Sequence, residues 1–440
     1  TQTKVDEKTL DQAPTEWKRY LQLKYDFSNI KNTGLYCIHY GDQVTEVFPI
    51  ADDVYDQSWQ VALTGYLPIA MNHIAVREGY RVWHNADHMD DARLCGAEVQ
   101  GHSWFDGWRP ANNSTQNNLA RVKENGWTDG GHMLGMNQGG YSDAGDFDIQ
   151  TPRNQSVGNN FVDTAEATES LGGYDGEAIY WDWATGGLAE MRRPDGIPDI
   201  DQHVIHAAKF FAGEYNANGC SGGTIEVVTL RQYTHLGSGD TETDGYLYDP
   251  NLPANEIRVD EETGLTYSGR NDDRYDNSTS AQGAGHLRIM AAGAYYAAKA
   301  YSPDMEAKYE KSYRETAQYL MYTANRLFNQ LRGTQAAASS EFQYLPELYM
   351  ATKTMEAKGL SYKTSDLNFF DKNDLCYDPN FDASQYNHEF YKARLESILE
   401  SANVSSYLYS SMLIYDEMDE AFRDKVDSAA KSAINANLYT

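Results

Sequence analysis

Two acidic residues, Asp143 and Asp146, stand close together in the segment Gly139-Gly140-Tyr141-Ser142-Asp143-Ala144-Gly145-Asp146-Phe147-Asp148. Glycines at 139, 140 and 145 let the backbone bend sharply and approach a ligand closely. A bend between the two carboxylates aims both at one point. Hydrolysis of a sugar acetal needs paired carboxyl groups, one ionised to activate water and one protonated to release the leaving oxygen. The same residues also suit a calcium loop or a solvated turn. An EF-hand loop needs ligands at its first, third and fifth positions, Gly at the sixth and Glu at the twelfth. Asp143, Asp146 and Asp148 fall at the first, fourth and sixth, which excludes that motif. Local chemistry alone leaves the solvated turn and the catalytic pair both open.

What must hold this turn is a chain of 440 residues, 41% of them hydrophobic, enough for a substantial core in one large domain or two. No apolar run is long enough for a transmembrane helix. Residue 1 is Thr and no signal-peptide pattern follows, which reads as a processed or trimmed piece of a longer chain. With 65 acidic and 36 basic residues the net charge is −29, which repels nucleic acid and anionic membranes and favours a neutral ligand. Tyr (33 residues) and Trp (8) are plentiful; their rings stack on sugar faces and equally serve ordinary packing. Cys37, Cys95, Cys220 and Cys376 form no Cys-x-x-Cys pair, so no zinc ribbon or redox motif follows, and disulfides and buried thiols both stay open.

The pattern changes near residue 50. Before it, Tyr20–Phe27, Leu35–Tyr40 and Val44–Ile50 alternate as strands, with a turn signal at Asn32-Thr33-Gly34. Three strands do not make a stable sandwich by themselves, and they read as the last strands of a β-sandwich. After it, apolar spacing predicts helix over Val54–Glu78, interrupted at Pro68. It also predicts helices over 160–171, 197–214, 283–301, 303–328, 340–357, 388–402, 404–416 and 419–438. Ser302-Pro303 is a helix-start signal, and the Ala-rich 283–301 segment suits an inner helix. Long loops at 80–160, 172–196 and 215–282 carry most of the Gly, Asp and Trp, and long loops in a compact domain are usually functional. Helices form the scaffold in this reading, and loops build a site at one end.

The segment Gly139–Asp146 resembles the Gly-Gly-Trp-x-Asp-Ala-Gly-Asp signature of glycoside hydrolase family 9, the cellulase family with an (α/α)6 barrel. Asp195-Gly196-Ile197-Pro198-Asp199-Ile200 is similar to the family's Gly-Ile-Pro-Asp-Ile segment leading into a helix. Ile50–Tyr55, preceded by Asp26-Phe27-Ser28 and Gly34-Leu35-Tyr36, is similar to the junction with an immunoglobulin-like domain in one branch of the family. Glu347-Leu348-Tyr349 is a weaker fourth match. The matches keep the family's order and span most of the chain.

The resemblance implies a mainly α fold. Residues 1–50 would be the C-terminal strands of an immunoglobulin-like β-sandwich, and 51–440 an (α/α)6 catalytic domain lacking its C-terminal part. It implies hydrolysis of β-1,4-glycosidic bonds with inversion, Asp146 acting as the general base on water and Asp143 helping to hold that water. The base must be ionised, and a neighbouring carboxylate raises one pKa of such a pair. The family's general acid, a Glu in an Asn-Glu segment, is expected beyond residue 440, as is a His-x-Arg segment. Asp201-Gln202-His203 departs from the family's Leu-Asp-Glu. The expected partner is a neutral polysaccharide or oligosaccharide, the expected setting secreted, periplasmic or cell-surface, with no cofactor required for the chemistry. A non-catalytic glycan-binding protein and an exo-acting β-glycosidase or glucosaminidase are the alternatives.

Glu78 and Asp87 stand where that branch has zinc-binding cysteines, and His84 and His88 could share a helix face. Without thiolates a polar network tying loop to scaffold is the favoured reading. A structural calcium fits the acidity and the family's habit, with no ligands assigned. Trp104, Trp108, Trp127, Trp181 and Trp183 are candidates for sugar contact, weighed against a simple role anchoring loops.

Overall fold

The computed structural model describes residues 3–55, 62–79, 81–84, 86, 88–89, 93–94, 102–103, 107–108, 135–143, 146–150, 154–171, 176–182, 187–218, 224–227, 246–249, 251–253, 256–262, 264, 266–269, 273–276, 283–304, 313–332, 338–362 and 380–438. The chain divides into two units, Thr1–Val61 and Ala62–Thr440.

In the first unit, three short antiparallel ladders form: Thr15–Trp17 with Tyr20–Gln22, Gly34–Tyr36 with Phe48–Ile50, and His39–Tyr40 with Gln43–Val44. All three expected strand segments contribute, each in shortened form. Phe27 packs between the rings of Tyr25 and Phe48, at 6.0 and 5.7 Å. Leu21, Leu23, Leu35, Val44 and Val47 are exposed, so the ladders bury little of their own apolar surface.

Among the described residues, eight α-helices of six residues or more build the second unit: α1 (Asn154–Leu171), α2 (Asp199–Asn218), α3 (Ala284–Ala300), α4 (Tyr313–Leu331), α5 (Leu345–Ala357), α6 (His388–Glu396), α7 (Leu408–Leu413) and α8 (Glu420–Leu438). Small sheets sit among them, so the molecule is mainly α with β elements. Helix α3 is the hub, packed against α1, α2, α4 and α5. Its sequence explains this: alanines favour helix and let neighbours come close on every side, and residues 285–298 are all buried. At Gly293 an added Cβ would stand 2.4 Å from Ala208 Cβ of α2. The other ends are set by local chemistry, with Pro346 in the first turn of α5 and Asn387 Oδ1 accepting from Phe390 N–H at 2.9 Å to cap α6.

The observed helices start or stop several residues from the expected bounds in places, and the 303–328 segment is helical at 303–304 and again from Tyr313. Val54–Glu78 is the main correction. It contains a wide helical turn over Ala62–Ile69, and then Ala75–Glu78 is a strand. Gly79, at φ +54°, turns that strand into an antiparallel pairing with Arg81–His84, and its other edge runs parallel to Leu188–Met191. The long loops likewise carry sheet. Ile179–Asp182, Leu188–Met191, Ala75–Glu78 and Arg81–His84 form one four-stranded sheet. Ser142–Asp143, Asp146–Gln150, Thr224–Val227, Asp273–Asp276 and Arg93–Leu94 form a five-stranded one.

Candidate functional site

The acidic turn lies at one end of the five-stranded sheet. Ser142–Asp143 pairs antiparallel with Asp146–Gln150, and Asp143 and Asp146 are direct cross-strand partners. The register shifts between Ser142 and Asp143. Ala144 and Gly145 lie outside the described residues.

The segment entering this hairpin is fastened on two sides. Gly139 and Gly140 take φ of +69° and +84°. A Cβ on Gly139 would come within 2.3 Å of the His206 carbonyl oxygen and 2.7 Å of Phe210 N, so only glycine lets the strand lie directly on α2. Gly140 N–H donates to His206 O at 3.1 Å, joining the strand to that helix. On the other side, Asn72 N–H donates to Gly140 O (3.0 Å) and Ser142 N–H to Ala70 O (2.7 Å). Met71 and Tyr141 form a bridge between them, and Asn72 Nδ2 reaches Ser142 Oγ at 2.7 Å.

Histidines complete the fastening. His73 Nδ1 lies 2.7 Å from Gly139 O, and His206 Nε2 lies 3.0 Å from Gly140 O. A carbonyl oxygen only accepts, so each of these ring nitrogens carries the proton. Tyr141 OH donates to His203 Nδ1 at 2.6 Å, and His203 Nε2 donates onward to Leu63 O at 3.3 Å. The Trp181 ring is fully buried edge-on to His203 at 5.1 Å and 5.7 Å from His206. Burial holds these imidazoles neutral: it pushes His73 down to about 3, His203 to about 4, and His206 well below its usual range. His73 and His88 both adopt the left-handed backbone region, at φ +60° and +49°, with their rings 6.1 Å apart. Such outliers persist only where surrounding structure over-determines them.

The segment 195–200 acts one layer behind. Asp199 accepts from the N–H groups of Ala178 (2.9 Å) and Ile179 (3.0 Å), and Asp195 from those of Trp181 (3.2 Å) and Ile197 (3.0 Å). These bonds pin the strand that presents Trp181 to the histidines. Burial raises Asp199 to about 7 despite its two backbone donors. The departure at 201–203 has a structural use here. Gln202 Nε2 bridges Asp195 Oδ2 (2.9 Å) and Tyr313 OH (2.7 Å), while His203 takes the Tyr141 hydroxyl.

Glu347 belongs to a separate buried cluster. Arg288 of α3 donates from Nε to Glu347 Oε1 (2.7 Å), and from Nη2 to Glu166 Oε2 (2.8 Å), Asp163 Oδ1 (2.7 Å) and Ser410 Oγ (3.0 Å). Burial first, and then Glu347 beside it, push Glu166 well above the usual carboxylate range.

Two expectations about this region are corrected. His84 and His88 do not share a helix face: His84 ends the Arg81–His84 strand, where its Nε2 donates to Pro68 O at 2.9 Å. Glu78 pairs with Arg192 at 2.9 Å, and Asp87 lies outside the described residues. Among the described residues no three His, Cys, Asp or Glu side chains are grouped to hold a metal ion. Trp181 is not a sugar platform, because its ring is fully buried. Trp104, Trp127 and Trp183 lie outside the described residues, and Trp108 is placed only as part of the strand Gly107–Trp108.

Sequence reading missed His73, His203 and His206. The signal available was the three-residue spacing of His203 and His206, which puts both on one face of a helix. No family model, curated protein or solved structure matches the chain.

Proposed function

We propose that the chain is an inverting β-glycan hydrolase acting on β-1,4-glucan or a related hemicellulose, on a barrel of the (α/α)6 kind. The observation that carries this reading is the Gly-Gly-Tyr-Ser-Asp-Ala-Gly-Asp turn, followed in the family's order by the 195–200 segment. The cross-strand pairing of Asp143 with Asp146 supports it, since it sets both positions on one rung of a ladder. In this mechanism Asp146 takes a proton from water as that water attacks the anomeric carbon. Asp143 holds the water, and a second carboxyl across the sugar protonates the leaving oxygen. Inversion requires the base and that acid to stand roughly 6.5–9.5 Å apart, leaving room for the water. The expected substrate is neutral, in keeping with a net charge of −29, and the expected setting is secreted, periplasmic or cell-surface.

Asp146→Asn in the full-length protein is expected to lower release of reducing ends from soluble β-glucan by about 1,000-fold or more, the loss of a proton acceptor being worth at least the usual general-base factor. A near wild-type rate would remove Asp146 from the role of base. NMR of the first anomer released checks inversion separately, and a retained configuration would refute it.

A further inference from the structure

We infer that His73 and His206 are positioning residues that set where the Asp143–Asp146 hairpin stands, each through one N–H at a fixed ring position; the catalytic part of this inference rests on the hydrolase reading above. The two histidines grip consecutive carbonyls, Gly139 O from Nδ1 of His73 and Gly140 O from Nε2 of His206. They come from different elements, the segment after the Ala62–Ile69 turn and the middle of α2. The turn is therefore registered between two parts of the scaffold. His206 holds it twice, since its own carbonyl also accepts Gly140 N–H at 3.1 Å. Both histidines are almost completely buried, so water cannot take over a lost donor: without His73 the Gly139 carbonyl loses its donor, which is costly, and without His206 the Gly140 carbonyl keeps only Asn72 N–H. The strand has no room to drift toward α2, where a Cβ on Gly139 would already collide. The left-handed backbone at His73, φ +60°, is a strained conformation kept at the residue that aims one of the two donors.

A role in packing alone would require only volume. The inference requires a donor at one ring position, and amide side chains distinguish the two. Gln places its NH2 near the imidazole Nε2 position and Asn near Nδ1. At 206, Gln keeps the donor, Asn misplaces it and Met removes it. At 73, Asn keeps it, while Gln and Leu do not.

Three readouts in the full-length protein decide the matter. Amide hydrogen exchange at Gly140 and Ser142 is expected to rise about tenfold or more in His206→Asn, His206→Met, His73→Gln and His73→Leu, as loss of one buried hydrogen bond implies. In His206→Gln and His73→Asn it should stay near wild type. On soluble β-glucan, the first four should lose about tenfold in kcat with KM changed less than about twofold, and the matched amides should recover most of the loss. If Gln and Asn at position 206 behave alike in exchange, or every variant falls only in step with its thermal stability, the inference is overturned. If the wild-type protein releases no reducing ends, the hydrolase reading fails while the exchange comparison still decides positioning. Should the variants not fold, 15N NMR of the wild-type imidazoles settles the point: the protonated nitrogens must be Nδ1 of His73 and Nε2 of His206, and the opposite tautomer at either refutes the assignment.

Discussion

The buried arginine of α3 shows how single residues balance. Arg288 faces Glu166, Glu347 and the half-exposed Asp163, with Ser410 Oγ within reach. One cation cannot neutralise three carboxylates in a dry site; holding Glu166 protonated removes one of the two excess charges, and half-exposed Asp163 keeps the other in contact with water. Two substitutions then differ sharply. Arg288→Met leaves buried acidic groups without their cation and should destabilise the fold by about 3–5 kcal/mol. Glu166→Gln replaces a group already neutral by one of the same shape, and should cost no more than about 1 kcal/mol. Urea unfolding of the two variants checks this. Equal losses would mean that Glu166 is ionised in the native state.

At the scale of elements, α2 and α3 approach closely at Gly293. Replacing Gly293 with Ala should gain about 1 kcal/mol from helix propensity. The new methyl, however, would stand 2.4 Å from Ala208 Cβ and 3.0 Å from Leu320 Cδ1. Overpacking typically costs about 1–3 kcal/mol, so Gly293→Ala should lower stability on balance. Adding Ala208→Gly should restore part of the loss. A stabilised single variant in thermal melts would show that the two helices are free to move apart. The same elements mark what the sequence made legible. The Ala-rich run of α3 and the apolar spacing of α2 and α8 placed those helices within a few residues, because helical periodicity is local. Ala75–Glu78 was misread because its strand character lies in partners at 81–84 and 188–190, the second far along the chain. Asp143 and Asp146 stood out because their glycines are adjacent in sequence. His73 and His206 did not, since each meets its carbonyl across 66 residues.

For the whole molecule, the buried histidines set the response to acid. His73 and His286 are pushed down to about 3 and His203 to about 4, with His206 also well below 6.5, all by burial. A folded pKa below the unfolded one means that the unfolded chain binds the extra proton, so stability is lost as pH falls below 6.5. Asp199, raised to about 7, and the raised Glu166 work the other way, binding protons in the folded state between their unfolded values of 3.8 and 4.5 and their folded ones. As pH falls from 6.5 toward 4.5 the four histidines come to outnumber these two acids, so among these groups acid weakens the fold on balance. Urea midpoints measured at pH 5 and 6.5 should differ in that sense, with the protein weaker at pH 5. A midpoint that rises on acidification would mean that these histidines are charged in the native state.

The partners of Arg288 are also ordered in time. Asp163 and Glu166 precede it on the nascent chain, whereas Glu347 follows 59 residues later and Ser410 follows 122 residues later. Until the ribosome has released α5 and α7, the guanidinium has only Asp163 and Glu166 as partners. The polar set around the helix at the centre of the fold is thus completed only by residues from the chain's far end.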